Sequence, residues 1–296
     1  MRPAKRTYHL GLIGYPLGHS LSPQLHRAAL ASAQLDGDYR LYPIPPGEDG
    51  RAAISALISL LHQGDLQGLN VTIPHKQHVM GLVAELSEVA RAVGAVNTLY
   101  QSHDGTLVGD NTDVPGFLRD LTRLMGGTGP GQALVLGAGG SARAIVYALA
   151  VNGWSVKVLA RRVEQAAALI YEIGVVLPGK AHLEVMLLSE ENLALSGNVN
   201  LVVNTTPLGM YPQITGCPWP DKIALPGQAT IYDLVYNPIE TVLVRRAREV
   251  GLSAACGAGM LIAQAALAFQ RWTGIDAPFE VMERAFFAPQ SNKMGE

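Results

Sequence analysis

The chain has 296 residues, a formal net charge of −2, 48% hydrophobic residues and 16% charged residues. Its length allows two domains with separate cores, and its composition is that of a globular protein rather than a disordered one. A charge near zero provides no basic field for nucleic acid or an anionic membrane, so neither is expected as a partner. The two cysteines, Cys217 and Cys256, are too few for a disulfide framework or a four-cysteine zinc site. We therefore expect a reducing compartment.

The start of the chain predicts a cytoplasmic protein. Residues 1–7 are basic, but the apolar stretch behind them is short and contains Tyr8 and His9, unlike a signal peptide. The richest apolar run, 260–269, is interrupted by Gln264 and is too short to span a bilayer.

Short apolar runs alternate with helical patterns in the first part of the chain, which predicts an α/β architecture. The predicted strands cover 8–13, 39–43, 66–73, 98–100 and 106–109, with Asp104-Gly105 as a hairpin turn between the last two. The predicted helices cover 22–33, 51–62 and a segment from 114 to 125. Ser22 is the expected N-cap of the first, with Pro23 at its first position.

The glycine-rich segment 126–131 predicts a linker, after which strand, turn and helix repeat as in a doubly wound nucleotide domain. The predicted strands are 133–136, 155–159, 201–204 and 230–235, and the predicted helices are 141–150, 241–250, 260–273 and 278–287. Gly251 is the expected stop of the helix before it, and the residues after Pro289 are a predicted frayed tail.

A glycine-rich turn with the pattern of a phosphate loop follows the strand 133–136. In Gly137-x-Gly139-Gly140 the backbone amides are free of side chains at a helix start, where they can bind a pyrophosphate. A plain strand-to-helix turn has the same glycines, but the strand, turn and helix context is the one that the nucleotide motif requires. The next strand ends in Ala160-Arg161-Arg162, where NAD sites place an acid. Two guanidinium groups suit a 2′-phosphate and favour NADP, although Glu164 keeps NAD open.

A lysine stands at the end of the segment Asn70-Val71-Thr72-Ile73-Pro74-His75-Lys76. An amine held among turn formers, beside a hydroxyl and an amide, can pass a proton to or from an alcohol or carbonyl oxygen. A solvated surface lysine is the alternative. Together with a dinucleotide loop, the segment predicts hydride transfer at a carbon that carries oxygen.

These motifs resemble those of the shikimate dehydrogenases. The matching blocks, in family order, are GYPLGHSLSP (14–23), NVTIPHK (70–76), GAVNT (94–98), GDNTD (109–113), NTTPLGM (204–210), YNP (236–238) and GAGMLIAQAA (257–266). Several blocks in order over nearly the whole chain are more specific than one glycine motif. The resemblance implies reversible NADPH-dependent reduction of 3-dehydroshikimate to shikimate in aromatic amino-acid biosynthesis.

The resemblance also implies a two-domain α/β fold. An N-terminal α/β substrate domain, 1–113, would be completed by the C-terminal helices in 257–296. A Rossmann-type, doubly wound NADP-binding domain, 114–256, would lie between them, with the active site in the cleft. The partner is the small-molecule substrate, and the chain is expected as a monomer or homodimer.

The family's functional positions carry over to this chain residue by residue. Lys76 is the implied general acid and base, and Asp113 orients it and binds substrate hydroxyls. The implied substrate-binding residues are Ser20, Ser22, Asn70, Thr72, Asn97, Tyr236 and Gln264. The implied cofactor-binding residues are Gly137, Ala138, Gly139, Gly140, Ser141, Ala160, Arg161, Arg162, Thr205, Leu234 and Gly257. Asp113 could instead cap a turn, Ser22 could act only as an N-cap, and Tyr236 could be a core residue.

Two further features bear on the site. Gln264 lies among apolar residues on a helix, where a buried amide needs partners, and a substrate hydroxyl would supply one. The histidines His19, His26, His75 and His78 fit no ligand spacing, so no metal is expected and we interpret them as loop and helix-surface residues.

Two alternatives to this function remain open. Family members commonly have Asn-Arg-Thr where this chain has Ala160-Arg161-Arg162, which bears on cofactor affinity. A quinate/shikimate dehydrogenase with NAD or dual cofactor use is the nearer alternative, and the serine pair and the two arginines argue against it. A non-catalytic ligand-binding relative is the other, and the presence of both Lys76 and Asp113 argues against that.

Overall fold

Two six-stranded sheets flanked by helices organise the computed structural model, which describes residues 6–127, 129–177, 179 and 181–288. The first sheet is mixed and has the order β2-β1-β3-β5-β6-β4. Its strands are β1 (Thr7–Gly14), β2 (Asp36–Pro43), β3 (Gly68–Val71), β4 (Glu85–Leu86), β5 (Thr98–Gln101) and β6 (Leu107–Asp110). Its helices are α1 (Ser22–Ser32), α2 (Glu48–Gln63) and α3 (Glu88–Val93), with a 3₁₀ turn at His78–Leu82.

The second sheet is entirely parallel and has the order β12-β11-β10-β7-β8-β9. Its strands are β7 (Gln132–Leu136), β8 (Ser155–Ala160), β9 (His182–Leu187), β10 (Leu201–Asn204), β11 (Thr230–Asp233) and β12 (Ala254–Cys256). The remaining helices are α4 (Asp113–Met125), α5 (Gly140–Val151), α6 (Val163–Val176), α7 (Glu190–Ala194), α8 (Val242–Glu249), α9 (Ala258–Thr273) and α10 (Phe279–Phe287). The chain leaves β7 towards β8 on one side and later returns to β10 on the other. This topological switch point is where doubly wound sheets bind ligands.

The helices α9 and α10 pack back onto the first sheet. Ile262, Phe269 and Met282 share a buried core with Leu10 and Leu25 of the first part of the chain. The indole Nε1 of Trp272 donates a hydrogen bond to the Leu99 carbonyl at 2.9 Å. The predicted α/β fold, with a doubly wound second sheet and returning C-terminal helices, is therefore confirmed, and the first sheet proves to be mixed.

Several elements differ from the prediction. The strand predicted over 66–73 is limited to β3, because its ladder with β1 covers only these residues, although the Thr72 amide still donates to the Ile13 carbonyl at 2.8 Å. Ser22 is wrong as an N-cap: Leu21 takes that position, and the Ser22 amide donates instead to the Ser20 hydroxyl at 3.3 Å. The elements that had no predicted counterpart are β4, β9, β12, α3, α6 and α7. The tail predicted after Pro289 lies outside the described residues, and none of the described helices combines the length and apolar character needed to cross a membrane.

The contact between β3 and α9 predicts a position that cannot accept a side chain. A Cβ on Gly68 would overlap the indole ring of Trp272, whereas a Cβ on Gly81 has no atom within 4 Å. We expect G68A to lower the free energy of unfolding by about 2 kcal/mol, because overpacking displaces the ring that anchors α9. The matched variant G81A should change it by less than about 0.5 kcal/mol. Chemical denaturation of the two variants measures this, and equal midpoints would contradict the proposed anchor.

Candidate active site

The order of the first sheet gathers three polar side chains at one edge. Lys76 follows β3 and Asp113 follows β6, while Asn97 directly precedes β5. Because β5 is antiparallel to both β3 and β6, its start lies at the edge where the other two strands end. Residues up to 37 positions apart in the chain therefore meet at one place.

Lys76 and Asp113 form a buried ion pair at this edge. The Lys76 Nζ donates to Asp113 Oδ2 at 2.7 Å, and the two side chains are only 10% and 9% exposed. The Asn97 amide donates to the other carboxylate oxygen at 2.9 Å. Asp113 is also the first residue of α4, where a negative charge is favoured by the helix dipole. The pair is thus held in one orientation from both sides of the carboxylate.

A layer of amides and hydroxyls fixes the residues around this pair. Asn97 Oδ1 accepts the Thr112 amide at 2.8 Å. Asn70 accepts from the Tyr39 hydroxyl at 2.9 Å and donates to the Asn97 carbonyl at 3.2 Å. These side chains are almost fully buried, so each amide is constrained by hydrogen bonds rather than by packing alone.

The remaining candidate substrate residues surround the edge without hydrogen bonds to the ion pair among the described residues. Ser20 and Ser22 lie at the start of α1, where Ser22 is buried. Thr72 directly follows β3, and its methyl group faces Gly14 so closely that a Cβ there would overlap it.

Gln264 and Tyr236 come from the later part of the chain. Gln264 is buried in α9, donates to the Leu261 carbonyl at 2.9 Å, and packs against Gly116, where an added Cβ would lie 3.0 Å from Gln264 Cβ. This close approach places the start of α4, and with it Asp113, beside the first turns of α9. Tyr236 packs edge-on against Phe286, and burial raises the pKa of its hydroxyl.

The glycine loop of the second sheet forms a cradle that suits a pyrophosphate. Gly137 directly follows β7 with a φ of +106°, and a Cβ there would lie 2.8 Å from Thr205 Oγ1. Gly139 and Gly140 face open space within 4 Å of their Cβ positions. Since α5 begins at Gly140, its free amides point toward that space. The residues present therefore fit the phosphates of a dinucleotide.

The other candidate cofactor residues lie at the same edge of this sheet. Thr205 follows β10 and donates to the Leu136 carbonyl at 2.7 Å. Gly257 packs so tightly on the Leu234 carbonyl that a side chain would overlap it. Ala160 is the buried last residue of β8, and Ser141 is the half-buried second residue of α5.

Arg161 and Arg162 follow β8 directly and are exposed. Neither guanidinium has a hydrogen-bond or ion-pair partner within the part of the chain that the structure describes. Gln165, at the start of α6, donates to the Ala138 carbonyl at 2.8 Å and ties this segment to the glycine loop. The two arginines are thus available to an anionic group bound beside the loop.

Some residues that shape the site are absent from the predicted set. Asn111 Oδ1 accepts the amides of Asp113 at 3.1 Å and Val114 at 3.3 Å, which fixes the first turn of α4. On the cofactor side, Asp233 accepts from Asn204 at 2.8 Å and from Thr241 at 2.7 Å, and burial raises its pKa to about 6. Asn111 and Asn204 lie within the matched motifs, but their partners are determined by the fold.

The interpretation of the histidines as loop and helix-surface residues is wrong at His26, whereas His75 lies in a loop as expected but is buried. His26 is fully buried and stacks on Tyr39 with the ring centroids 4.4 Å apart, because α1 packs its inner face on the first sheet. His75 is buried and donates through Nε2 to the Ile44 carbonyl at 2.6 Å. His19 is exposed, as expected of a loop residue. Within the described ranges no three His, Cys, Asp or Glu side chains are arranged to hold a metal ion.

The matches to known families cover both ends of the chain. Residues 12–99 match the model for the shikimate dehydrogenase substrate binding domain. Residues 257–285 match the model for the shikimate 5′-dehydrogenase C-terminal domain. A shikimate dehydrogenase (NADP(+)) of Carboxydothermus hydrogenoformans is 37% identical over 286 residues, which are 96% of this chain and 98% of that protein.

Solved structures of similar proteins share the same fold. The shikimate 5-dehydrogenase of Thermus thermophilus, in complex with NADP(H) and shikimate, superposes with a TM-score of 0.80 at 35% identity. That match covers 94% of this chain and 98% of the other. The quinate dehydrogenase of Corynebacterium glutamicum, in complex with NAD, superposes with a TM-score of 0.85 at 32% identity, covering 95% and 98%.

The buried His26 predicts a specific acid sensitivity. Neither of its ring nitrogens makes a well-formed hydrogen bond among the described residues, and burial, opposed in part by the nearby Asn70 side chain, lowers its pKa from 6.5 to about 3. Between these values the unfolded chain binds a proton that the folded protein does not. The free energy of unfolding therefore falls as pH drops below about 6.5, by at most about 1.4 kcal/mol per pH unit.

Replacing His26 with phenylalanine removes this term while keeping a flat ring against Tyr39. The free energy of unfolding of H26F minus that of the wild type should therefore grow as pH falls from about 7 to about 5, measured by urea unfolding. Terms from other groups, including Asp233, are present in both proteins and cancel in the difference. A difference that stays constant over this pH range would contradict the prediction.

Proposed function

The chain belongs to the shikimate dehydrogenase family, and from that premise we propose how its residues carry out the NADP-dependent interconversion of shikimate and 3-dehydroshikimate. It is an oxidoreductase of the shikimate pathway, which supplies aromatic amino acids. The observation that carries the residue assignments is the buried Lys76–Asp113 pair, with Nζ 2.7 Å from the carboxylate. Burying two opposite charges costs stability through desolvation, which favours a catalytic role for the pair over a purely structural one.

Lys76 moves the proton of the reaction. In the oxidation of shikimate, the Lys76 ammonium first releases a proton to solvent, and the neutral amine then accepts the proton of the reacting hydroxyl as that carbon loses its hydride. In the reverse direction the ammonium group returns a proton to the carbonyl oxygen. When bound, the cofactor supplies the hydride acceptor as NADP and the hydride donor as NADPH. Asp113 orients the amine and binds a neighbouring hydroxyl of the ring.

The neutral polar residues around the pair bind the substrate. Ser20 and Ser22 hold the carboxylate at the start of α1, where the helix dipole favours a negative charge. Neutral donors and acceptors suit a polyhydroxylated ring, because each ring hydroxyl both donates and accepts. These residues are Asn70, Thr72, Asn97, Tyr236 and Gln264.

The short distance along α9 supports a reaction between a cofactor bound at the second sheet and a substrate bound at the first. Gly257, at the cofactor edge, and Gln264, beside Asp113, are seven residues apart, which is about 10 Å of helix. We assign 1–113 with 257–296 to a substrate domain and 114–256 to an NADP-binding domain. The described strands of the first sheet all lie before residue 111, and those of the second sheet lie between 132 and 256, which supports this division.

The exposed arginines distinguish this assignment from a quinate dehydrogenase that uses NAD. Arg161 and Arg162 supply positive charge for the 2′-phosphate of NADP at the end of β8, beside the glycine loop. The serine pair disfavours quinate, which has an additional hydroxyl at the carbon bearing the carboxylate. A monomeric or homodimeric state and a cytoplasmic location stay predictions.

Replacement of Lys76 by methionine tests the catalytic assignment. The change keeps the aliphatic stem and removes the amine, so kcat should fall by about 10³-fold while the Kd for shikimate changes by less than about threefold. Steady-state kinetics and ligand titration measure the two quantities. A thermal melt confirms that the variant is folded at the assay temperature, since Asp113 loses its partner.

The matched control for this variant is K222M. Lys222 is an exposed lysine paired with Glu190 at 2.5 Å, and its replacement should leave kcat unchanged. Turnover by K76M within about tenfold of the wild type would remove Lys76 from the proton transfer.

Replacement of Arg161 and Arg162 together by alanine tests the cofactor assignment. The double variant should raise the KM for NADP by about 10- to 100-fold, because a charge-assisted contact to a phosphate is worth about 1.5–3 kcal/mol. The KM for NAD, which lacks the 2′-phosphate, serves as an internal control and should change by less than about twofold. An equal rise of both KM values would show that the arginines do not bind the 2′-phosphate of NADP.

A further inference from the structure

The two halves of the molecule meet away from the cleft residues, at α3. This helix belongs to the first part of the chain but packs against α5 and α6 of the second sheet. Val93 and Ala95 share a buried core with Ala142 and Ile145 of α5. The end of α3 is therefore a fixed contact between the half that holds Lys76 and the half that holds the glycine loop.

One arginine crosses this contact. Arg143 lies in the first turn of α5, three residues after Gly140, and is only 9% exposed. Its Nε donates to the Val93 carbonyl at 2.8 Å, and its Nη2 pairs with Glu172 on α6. Val93 is the last residue of α3, where the negative end of the helix favours a cation. The guanidinium thus joins three helices, one of them from the other half.

Gly94 makes room for this side chain. It follows α3 with a φ of +69°, and a Cβ there would lie 2.5 Å from Nη2 of Arg143. Arg143 is also fixed in a way that lysine cannot reproduce, because one planar group directs two separate donors at two partners.

Both ends of the contact between Arg143 and Val93 are close in the chain to groups of the proposed active site. Two residues after Gly94, the Val96 amide donates to the Lys76 carbonyl at 2.8 Å, and the next residue, Asn97, holds Asp113. At the other end, Arg143 is on α5, whose first amides would hold the phosphates of the cofactor. We propose that Arg143 is a positioning residue that sets the glycine loop, and thus the bound cofactor, relative to the Lys76–Asp113 pair.

This role, which rests on the proposed function, predicts a loss in chemistry without a loss in binding. The Arg143 guanidinium contacts Val93 and Glu172, neither of which is assigned to a ligand, so the separate Kd values of NADP and shikimate should change by less than about twofold. Hydride transfer depends on the distance between the two ligands, and a misplacement of about 1 Å can cost about 100-fold in rate.

The experiment compares three variants by single-turnover kinetics at saturating shikimate and NADP. R143K keeps the charge but removes the Nε donor. G94A adds a methyl group that would displace the Arg143 guanidinium from the side of the other half. Both should slow the single-turnover reduction of NADP by about 10- to 100-fold. E184Q is the control: Glu184 is 63% exposed, lies in the same half as Arg143 and pairs with Lys157 instead of Arg143, so its rate should stay within about threefold of the wild type. A slower single-turnover rate with shikimate deuterated at the reacting carbon identifies the measured step as hydride transfer.

The outcomes separate this inference from the function on which it rests. Wild-type protein that fails to reduce NADP with shikimate would overturn the proposed function itself. With an active wild type, R143K and G94A rates within about threefold of it would overturn the positioning role, even if both variants melt at lower temperature. A purely structural role predicts that loss of thermal stability with an unchanged rate per folded molecule. A slow rate explained by a weakened Kd for NADP would also overturn the proposal, since Arg143 would then act within the cofactor site.

Discussion

The buried ion pair between Lys76 and Asp113 is the interaction on which the rest of the structure depends. Removing two charges from water costs several kcal/mol for each ion, so the pair persists only because its geometry and its hydrogen bonds compensate. Asn97 binds one carboxylate oxygen and Lys76 the other. The Asp113 amide is bound to Asn111. The mixed order of the first sheet brings these groups together at one edge.

The connections between the halves follow from the same requirement. A proton-transfer group on one sheet can act on hydride chemistry at another sheet only if the distance between them is controlled. The helices α4 and α9 approach closely at Gly116 and Gln264, and both begin near the cleft. Arg143 provides a second contact, at the end of α3. Rigid elements thus meet around the cleft rather than flexible loops alone.

The local motifs of the site could be predicted from the sequence, and its long-range contacts could not. The glycine loop and the strands before it have a periodicity and spacing that require no knowledge of the fold. Tyr39 and Asn70 are 31 residues apart, and Arg143 and Val93 are 50 apart. Pairing of these residues depends on strand order, which no local pattern encodes.

The errors in the prediction have equally physical reasons. A histidine on an amphipathic helix is polar in any local scale, yet His26 faces the core because α1 needs that face to cover Tyr39. Serine is a preferred residue type at N-caps, but the Ser22 amide donates to the Ser20 hydroxyl, and Leu21 occupies the N-cap position. The strand β9 lies at the edge of the sheet, where none of its residues is fully buried, and its polar–apolar alternation is limited to residues 182–185, which is a weak signal in the sequence.

The most direct measurement is the initial rate of nicotinamide reduction by the purified wild-type protein, with shikimate or quinate as substrate and NADP or NAD as cofactor. The buried pair, the serines and the two arginines predict fast reduction of NADP with shikimate and much slower reaction in the other three combinations. Equal use of NAD or of quinate would contradict the specificity assigned to these residues. Absence of reduction in all four, with shikimate still bound, would contradict the catalytic role of the pair.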